Sequence, residues 1–453
     1  MVFIGKLDEK PWQEMKGGIP SSIDAVSFPL CPKDTLHAKK WDDAIASSSP
    51  IASPVSRTKD EMATIIYTSG STGKPKGVMT SFGAMTDTTK GICKELSVTS
   101  DDRYLSYLPI AHGMERWLGM CVPLYSGEQV WYAEALTTFI ADLNRCEPTL
   151  FLSVPRLWTK FQAGVFSKLP EKKVNLLLSI PLINILIKKK LLKTLGLSKV
   201  RFAGSGSAPL PQDLLNWYRS LGLELLEGYG MTENFNYSHF SQPGKSRVGY
   251  VGNTYDDVVC RIADDGEIQV KTPGKMMGYF KNPEATAETI TEDGYVRTGD
   301  KGELDEQGRL KITGRTKEIF KTSKGKYVAP APIENLLISN QYVELACVGG
   351  KSQPQPFAII QLSESPKAKA IGSEGEREVL GKALEEHFIN SVNSKIDGHE
   401  KLQFVVIVKD DWLPENGFLT PTQKIKRATI EDTYDPKVEG WYAAKKKVIW
   451  DGF

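Results

Sequence analysis

Short apolar runs that alternate with helical patterns determine the fold class of the first half of the chain. The runs Thr64–Thr68, Thr149–Val154 and Val200–Ala203 are rich in apolar residues, as expected for strands that are covered on both faces. A helical pattern follows Pro211 over Gln212–Leu221. Strands that alternate with helices in this way predict a layered α/β architecture.

The pattern changes near Val248, where turn residues begin to separate pairs of strand-like runs. Asp264-Asp-Gly266 separates Val258–Ile262 from Glu267–Val270, and Gln307-Gly308 separates a second pair. Both arrangements are typical of antiparallel hairpins. We therefore expect a β-rich subdomain after the α/β layers.

The last part of the chain, from about Gly314, predicts a small α+β domain. Its helix carries apolar residues at every fourth position from Leu380 to Ile396, which form one apolar stripe. We expect an N-terminal domain over residues 1–316 and a C-terminal domain over residues 317–453. The predicted strands of the C-terminal domain are Leu345–Gly349, Phe357–Leu362 and Phe404–Val408.

Charge and cysteine content exclude several classes of protein. Lys and Arg total 57 against 55 Asp and Glu, a net charge of +2, whereas a nucleic-acid binder usually has a basic excess. The six cysteines lie far apart without a C-x-x-C pair, which argues against a zinc ribbon or a disulfide scaffold and favours reduced thiols in the cytoplasm. The five histidines form no H-E-x-x-H motif, which argues against a zinc hydrolase.

The longest apolar stretch, Val174–Ile187, is too short to span a bilayer at about 20 residues. We interpret it as a buried or surface helix that leads into Lys188–Lys190. A basic amphipathic contact with a membrane surface is the alternative. Residues 41–60, rich in Ser, Pro and Ala, are interpreted as a surface connection.

The strongest local signal is the segment Tyr67–Val78, in which a buried strand leads into a loop rich in Gly, Ser and Thr with two lysines. Such a loop can direct backbone N–H groups, hydroxyls and positive charge at an anion, as a polyphosphate requires. It is not a Walker A loop, because that motif would need Gly at Thr68 and Ser or Thr at Pro75. The alternative is a flexible surface loop.

This segment resembles the signature of the adenylate-forming superfamily, which contains acyl-CoA synthetases, luciferases and peptide-synthetase adenylation domains. The chain is most similar to long-chain fatty acyl-CoA synthetases in Leu108–Arg116, in its final motif, and in Lys317, where many relatives carry Asp. The seven motifs that carry the resemblance, in order, are Tyr67–Val78, Gly204–Leu210, Glu227–Glu233, Gly278–Pro283, Gly294–Asp300, Gly314–Ile319 and Leu419–Arg427.

The resemblance implies an ATP site. Tyr229, between two glycines, would stack on adenine, although an aromatic residue in such a turn can also fill a core position. Asp300 would accept hydrogen bonds from the ribose diol, and Arg315 would contact ribose or phosphate. The remaining implied ATP or AMP contacts are Thr68, Ser69, Gly70, Ser71, Thr72, Gly73, Lys74, Lys76, Gly206, Ser207, Ala208, Gly228 and Gly230.

The resemblance also implies the catalytic groups. Lys424 matches the catalytic lysine of the family, which stabilises the negative charge that develops on the α-phosphate. Thr232 would bind the α-phosphate, and His112 would lie beside the substrate carboxylate and gate access to it. Glu233, with help from Thr68, would hold Mg²⁺, which prefers oxygen ligands.

Relatives of this kind run two half-reactions by rotating the C-terminal domain. Lys317 falls at the hinge, where a few residues absorb a large backbone change. Gly325, in the loop Lys321–Lys326, would let the CoA arm pass close to the backbone. The implied cofactors are therefore ATP, Mg²⁺ and CoA.

We expect an ATP-dependent acyl-CoA synthetase that acts on a fatty acid, in the cytoplasm or at a membrane surface. An acyl-AMP ligase that loads a carrier protein is the first alternative. A non-catalytic fragment that binds a nucleotide is the second, because Val2–Asp8 resembles a segment that lies inside the large domain of relatives. On that comparison the front of the large domain is expected to be missing.

Overall fold

A computed structural model gives the structure of residues 1–35, 37–68, 75–135, 137–206, 210–420 and 423–453. The chain divides into two compact units, residues 1–57 and 58–453. The first unit has a small core of Ile4, Trp12 and Ala25. A short helix occupies part of the segment that was expected to be a surface connection. The elements of this unit are three parallel strands, Val2–Ile4, Ala25–Ser27 and Lys39–Lys40, and the helices Glu9–Lys16 and Trp41–Ala46.

A seven-stranded sheet forms the centre of the second unit. The first five strands in its spatial order are parallel to one another, and each of the last two is antiparallel to the strand before it. The predicted strands 64–68, 149–154 and 200–203 all exist, and the last two of them belong to this sheet. The first lies at the edge of an antiparallel sheet and only its Ile66 is fully buried, so the expectation that it is covered on both faces is wrong. The order is Gln129–Tyr132, Arg103–Ser106, Leu150–Ser153, Phe202–Ser205, Leu225–Tyr229, His239–Phe240 and Asn253–Thr254.

Helices cover both faces of this sheet. In the strand Arg103–Ser106, Tyr104 belongs to one hydrophobic cluster and Leu105 to another, because successive side chains of a strand point to opposite faces. The helices are Phe82–Leu96, Gly113–Glu115, Val122–Ser126, Phe139–Cys146, Pro155–Lys168, Glu171–Ser179, Ile183–Thr194 and Gln212–Ser220, with a π-helical turn at Arg116–Cys121 and a 3₁₀ turn at Thr232–Asn234.

Antiparallel sheets follow, as the turn residues predict. Gly266 and Gly308 adopt positive φ at the two predicted turns, where glycine is favoured. A four-stranded sheet has the order Val259–Ile262, Glu267–Lys271, Val296–Leu304 and Leu310–Arg315. A three-stranded sheet has the order Gly278–Tyr279, Lys76–Ser81 and Met62–Thr68. Along the chain, the helix Pro283–Thr289 comes directly after the strand Gly278–Tyr279.

The last part of the chain has the expected α+β composition. The predicted helix with the long apolar stripe is shorter than expected, because it becomes a π-helical turn at Phe388–Val392 and ends before Ile396. The strands are Phe320–Lys321, Tyr327–Val328, Val343–Gly349, Phe357–Leu362, Val405–Val408 and Val448–Asp451, and the helices are Pro330–Leu337, Glu364–Gly372, Glu374–His387 and Arg427–Ala443.

The apolar stretch Val174–Ile187 does not form one helix. Pro181 lies in a break between the helices Glu171–Ser179 and Ile183–Thr194. Across the ranges that the structure describes, no helix combines the length and the apolar character needed to cross a membrane. The predicted fold class, layered α/β with β-rich parts and an α+β end, is confirmed.

Candidate active site

Several of the predicted site residues lie at one edge of the central sheet. Four neighbouring parallel strands end there, and the segments that follow them carry site residues. The carboxyl ends of parallel strands meet at one edge, which is where open α/β sheets bind ligands. The residues that follow these strands are His112 after Ser106, Arg156 after Ser153, Gly206 after Ser205, and Gly230 after Tyr229.

Tyr229, Asp300 and Arg315 form a hydrogen-bonded group. The Tyr229 hydroxyl donates to Oδ2 of Asp300 at 2.8 Å, and Nε of Arg315 donates to Oδ1 at 2.8 Å. Asp300 and Arg315 are opposite each other in two antiparallel strands, so the strand register brings them together. Burial, reinforced by the Asp300 carboxylate, raises the pKa of the Tyr229 phenol well above its usual range. A carboxylate has about four lone-pair sites, so Asp300 keeps acceptor capacity for a ligand.

Glycines allow backbone segments to pack closely beside Tyr229. A Cβ on Gly230 would lie 2.5 Å from the backbone carbonyl of Asn236, so only glycine fits there. A Cβ on Gly206 would lie 3.4 Å from the carbonyl oxygen of Gly228, which shows how closely these two segments approach. Ser207 and Ala208 lie outside the described residues.

The predicted phosphate loop connects the strands Met62–Thr68 and Lys76–Ser81. Thr68 and Lys76 pair directly across these strands, and the Thr68 hydroxyl lies 3.5 Å from the Lys76 carbonyl. The loop therefore begins and ends at a fixed point of the sheet. Its predicted contacts Ser69, Gly70, Ser71, Thr72, Gly73 and Lys74 lie outside the described residues.

A chain of contacts joins Lys76 to the predicted metal ligand Glu233. Nζ of Lys76 lies 4.9 Å from the ring centroid of Tyr279, a cation–π distance. The Tyr279 hydroxyl donates to Oε1 of Glu233 at 2.7 Å. Burial raises the pKa of Tyr279 above its ordinary value, with the Glu233 charge as a further cause. Tyr279 therefore fixes the orientation of the Glu233 carboxylate.

Glu233 could hold Mg²⁺ together with a phosphate. It is 8% exposed and lies in the 3₁₀ turn Thr232–Asn234. Among the described residues, no cluster of three His, Cys, Asp or Glu side chains forms a metal site. Mg²⁺ that binds through one carboxylate and substrate phosphates does not need such a cluster, so the residues fit this mode of binding.

His112 caps the short helix Gly113–Glu115. Its Nδ1 accepts from the Met114 N–H at 3.2 Å, so the neutral ring carries its proton on Nε2. Burial lowers the pKa of His112, and the positive charge of Lys424 lowers it further. The Thr232 hydroxyl faces the same helix, 3.6 Å from where a Cβ of Gly113 would lie. His112 and Thr232 therefore border one space.

Lys424 lies close enough to His112, Arg315 and Asp300 for their charges to interact. Desolvation by the surrounding protein atoms lowers the pKa of Lys424, although the residue is exposed to solvent. The positive charge of Arg315 lowers this pKa further, whereas the negative charges of Asp300 and Glu318 raise it. The backbone N–H of Lys424 donates to Oγ1 of Thr420 at 3.1 Å, and the Thr420 N–H donates to the Lys424 carbonyl at 2.7 Å. These two bonds fix the backbone of Lys424 relative to Thr420.

Two residues that contact the candidate site residues or their neighbours were not predicted from the sequence. Arg156 donates from Nη1 to Oε1 of Gln423 at 3.3 Å, next to Lys424, and pairs through Nη2 with Glu344. No local pattern indicates contacts across such sequence distances. Tyr279 belongs to the motif Gly278–Pro283, which was recognised without a role for its tyrosine.

Lys317 and Gly325 lie in turns apart from these contacts. Lys317 is exposed in a turn that is closed by hydrogen bonds from the N–H groups of Glu318 and Ile319 to the Arg315 carbonyl, at 3.0 and 3.1 Å. Gly325, at φ +77°, is exposed in the turn of the hairpin Phe320–Val328. In the part of the chain that the structure describes, no hydrogen bond links either residue to Tyr229 or Asp300.

Comparisons with solved structures identify the same fold. The chain is similar to the adenylation domain of a carboxylate reductase from Mycobacterium chelonae, with a TM-score of 0.75 and 25% identity over 90% of this chain and 64% of that one. It also resembles the anthranilate CoA ligase AuaEII in complex with anthranoyl-AMP, with a TM-score of 0.76 and 21% identity over 97% and 79% of the two chains.

Sequence comparisons agree. The chain is 32% identical to long-chain-fatty-acid–CoA ligase FadD15 of Mycobacterium bovis, over 95% of this chain and 77% of that protein. It is 32% identical to the peroxisomal long chain acyl-CoA synthetase 7 of Arabidopsis thaliana, over 85% of this chain and 61% of the relative. Residues 10–280 match the AMP-binding enzyme family, and residues 317–446 match the AMP-binding enzyme C-terminal domain. The chain therefore belongs to the adenylate-forming family of AMP-binding enzymes.

Proposed function

We propose that the protein is an AMP-forming acid–thiol ligase that activates a fatty carboxylate with ATP and passes the acyl group to CoA. The observation that carries this proposal is that Lys424 lies close enough to His112, Asp300 and Arg315 for their charges to interact. A cation within range of both a predicted carboxylate site and a predicted ribose site would be able to stabilise the negative charge that adenylation develops.

In the first half-reaction a carboxylate oxygen bonds to the α-phosphorus, and the bond from that phosphorus to the pyrophosphate oxygen breaks. Lys424 in its ammonium form would stabilise the charge on the α-phosphate. Because the pKa of Lys424 is lowered, this form is lost at a lower pH than for an ordinary lysine. In the second half-reaction the CoA sulfur bonds to the acyl carbon, AMP leaves, and the thiol proton is released.

The nucleotide would bind with adenine beside Tyr229 and ribose on Asp300, and its phosphates would extend toward Thr232, Thr68 and Lys76. Glu233, assisted by Thr68, would hold Mg²⁺. Bound there, Mg²⁺ would offset the negative charge of the phosphates. The buried hydrogen bond from Tyr279 to Glu233 supports this role, because ligating carboxylates are usually fixed by a second group.

The proposed substrate is a long-chain fatty acid, since the relatives FadD15 and long chain acyl-CoA synthetase 7 are named for such acids. We further propose that residues 317–453 move as a domain, with Lys317 at the hinge and Gly325 beside the CoA thiol in the second half-reaction. Transfer to a carrier protein instead of CoA is the competing outcome.

An ATP–pyrophosphate exchange assay with octanoate, palmitate and benzoate tests the first half-reaction. We expect exchange with palmitate, and a loss of about 100-fold or more in Lys424→Ala, since one such contact supplies about 3–4 kcal/mol. Lys426→Ala is the matched control and should exchange normally. Absence of exchange with every acid, or equal exchange in Lys424→Ala, would refute the proposal. Adding CoA or a phosphopantetheinyl carrier protein then identifies the acceptor.

A further inference from the structure

The helices Glu171–Ser179 and Ile183–Thr194 form a hairpin that is attached to the core at its base. Val174 is fully buried in the cluster beneath the central sheet, and Leu178, Leu191 and Leu192 pack against the same cluster. These contacts hold the hairpin in place without using the rest of its apolar residues. The turn end of the hairpin is therefore presented by a fixed base.

The turn end exposes an unusual concentration of large apolar side chains. Within eleven residues, five leucine and isoleucine side chains are exposed, and we call these five residues the hairpin tip. They are Leu176, Leu182, Ile183, Ile185 and Leu186, with exposed fractions of 61, 78, 41, 61 and 70%. Scattered apolar residues on a surface are ordinary, but a cluster of this kind marks an interaction site.

Leu182 occupies a position that the turn itself would leave to glycine. It has φ +69°, and the Ile183 N–H donates to the Pro181 carbonyl at 2.9 Å across it, which forms a strained γ-turn. A leucine at this position neither fills the core nor eases the turn. Its contribution is an apolar side chain that is 78% exposed at the end of the hairpin.

Positive charge accompanies the hairpin tip. Residues 171–194 contain six lysines and one glutamate. Along the chain these lysines lie next to the anchoring residues, because two precede Val174 and four flank Leu191 and Leu192. The lysines are Lys172, Lys173, Lys188, Lys189, Lys190 and Lys193.

We propose that the hairpin tip inserts into the headgroup layer of an anionic bilayer, with the lysines on lipid phosphates. The order of the side chains from the turn toward the core, apolar and then cationic, matches the order from the acyl chains to the headgroups of a membrane. An acidic protein partner would satisfy the lysines but not five exposed aliphatic side chains beside them. The contact is interfacial, as the lengths of the two helices require.

Flotation of the whole protein with vesicles tests this proposal without any substrate, so the result does not depend on the proposed ligase activity. We expect binding to vesicles of phosphatidylcholine with 30% phosphatidylglycerol, at least about tenfold weaker binding to pure phosphatidylcholine, and weaker binding at high salt. No binding to the anionic vesicles at low salt would overturn the proposal.

Leu182→Gly distinguishes a loss of membrane contact from a loss of folding. Glycine removes the apolar side chain and also relieves the strain of the positive φ. Leu182→Gly and Leu186→Asp should each weaken binding at least about tenfold without lowering the melting temperature. Lys188→Glu/Lys189→Glu should remove the preference for anionic vesicles. Leu124→Asp, at an 83% exposed leucine elsewhere, is the matched control and should bind normally.

Two results would contradict the membrane proposal even if the tip matters. One is equal vesicle binding by the wild type and both tip variants. The other is self-association of the wild type in the absence of vesicles, measured by light scattering and abolished by Leu186→Asp. The latter would identify a second copy of this chain as the occupant of the tip.

Discussion

The Tyr229 hydroxyl donates a 2.8 Å hydrogen bond to the carboxylate of Asp300, so the residue predicted to stack on adenine also holds the residue predicted to bind ribose. Nε of Arg315 donates a hydrogen bond to the other carboxylate oxygen of Asp300. The orientation of Asp300 is thus determined before a nucleotide arrives. Such preorganisation spares the ligand the cost of ordering the side chain.

Tyr229→Phe keeps the ring and removes this hydrogen bond. We expect the KM for ATP to rise about tenfold or somewhat more, because a hydrogen bond to a charged group contributes about 1.5 kcal/mol or somewhat more. Asp300→Ala should raise it further. Steady-state kinetics with varied ATP measure both effects.

The chain offers a matched control for Tyr229→Phe. The Tyr237 hydroxyl donates to Oδ1 of Asp257 at 2.9 Å, in a second tyrosine–aspartate pair to which no nucleotide role is assigned. Tyr237→Phe should lower the melting temperature and leave the KM for ATP unchanged. A similar rise in KM in both variants would mean that Tyr229 acts through stability alone.

Glu233→Gln keeps the shape of the side chain and the acceptor for Tyr279 but removes the negative charge. If Glu233 is the Mg²⁺ ligand, the Mg²⁺ concentration for half-maximal activity should rise by more than about tenfold. Tyr279→Phe removes the orienting hydrogen bond and should shift the same titration by a smaller factor. An unchanged Mg²⁺ titration in Glu233→Gln would exclude the residue as a ligand.

Local patterns predicted the parts of the site that depend on short-range pairing. The turn at Gln307-Gly308 starts the pairing of two adjacent strands, and a register shift between Lys301 and Gly302, which no local pattern indicates, then brings Asp300 opposite Arg315. The family motifs predicted candidate site residues but not their direct contacts. The resemblance assigned Tyr229 and Asp300 to different parts of the nucleotide, and their hydrogen bond emerged only in the folded chain.

Other features could not be predicted because they depend on tertiary packing. The apolar stretch Val174–Ile187 carries no signal that separates buried from exposed apolar residues, and the structure divides it at Pro181 and exposes much of it. Arg156 reaches Gln423 across 267 positions, and no periodicity encodes such a contact.

Glu227 gives a prediction about pH and stability. Burial raises the pKa of this carboxyl group to about 7, and Oε1 accepts from the Leu210 N–H at 3.0 Å. The pKa of Glu227 in the folded state lies above its unfolded value near 4.5. The protonated carboxyl group therefore contributes its full stabilisation of the folded state below about pH 4.5. This contribution is lost as the pH rises through about 7.

Glu227→Gln mimics the protonated form and keeps the acceptor. Between pH 5.5 and 8 the wild type should therefore lose about 2 kcal/mol more stability than the variant. Thermal unfolding at a series of pH values measures this difference. Parallel profiles of the two proteins would show that the carboxyl group titrates normally.

We expect Arg156 to help determine the position of Lys424. Arg156 follows the strand Leu150–Ser153 at the site edge and binds both Gln423 and Glu344. Under the proposed domain movement, these contacts hold the C-terminal residues in the orientation that serves adenylation. Arg156→Ala should slow pyrophosphate exchange about fivefold, since a partly buried ion pair contributes about 1 kcal/mol.

The second half-reaction, started from acyl-AMP and CoA, should keep its rate in Arg156→Ala, because that orientation does not use these contacts. Glu344→Gln should slow exchange in the same way, and the double variant should be no slower than Arg156→Ala if the two side chains act as a pair. Arg145→Ala removes a mostly exposed arginine that pairs with Asp142 and serves as the matched control. Equal losses in both half-reactions would assign Arg156 to general stability instead of to the orientation of Lys424.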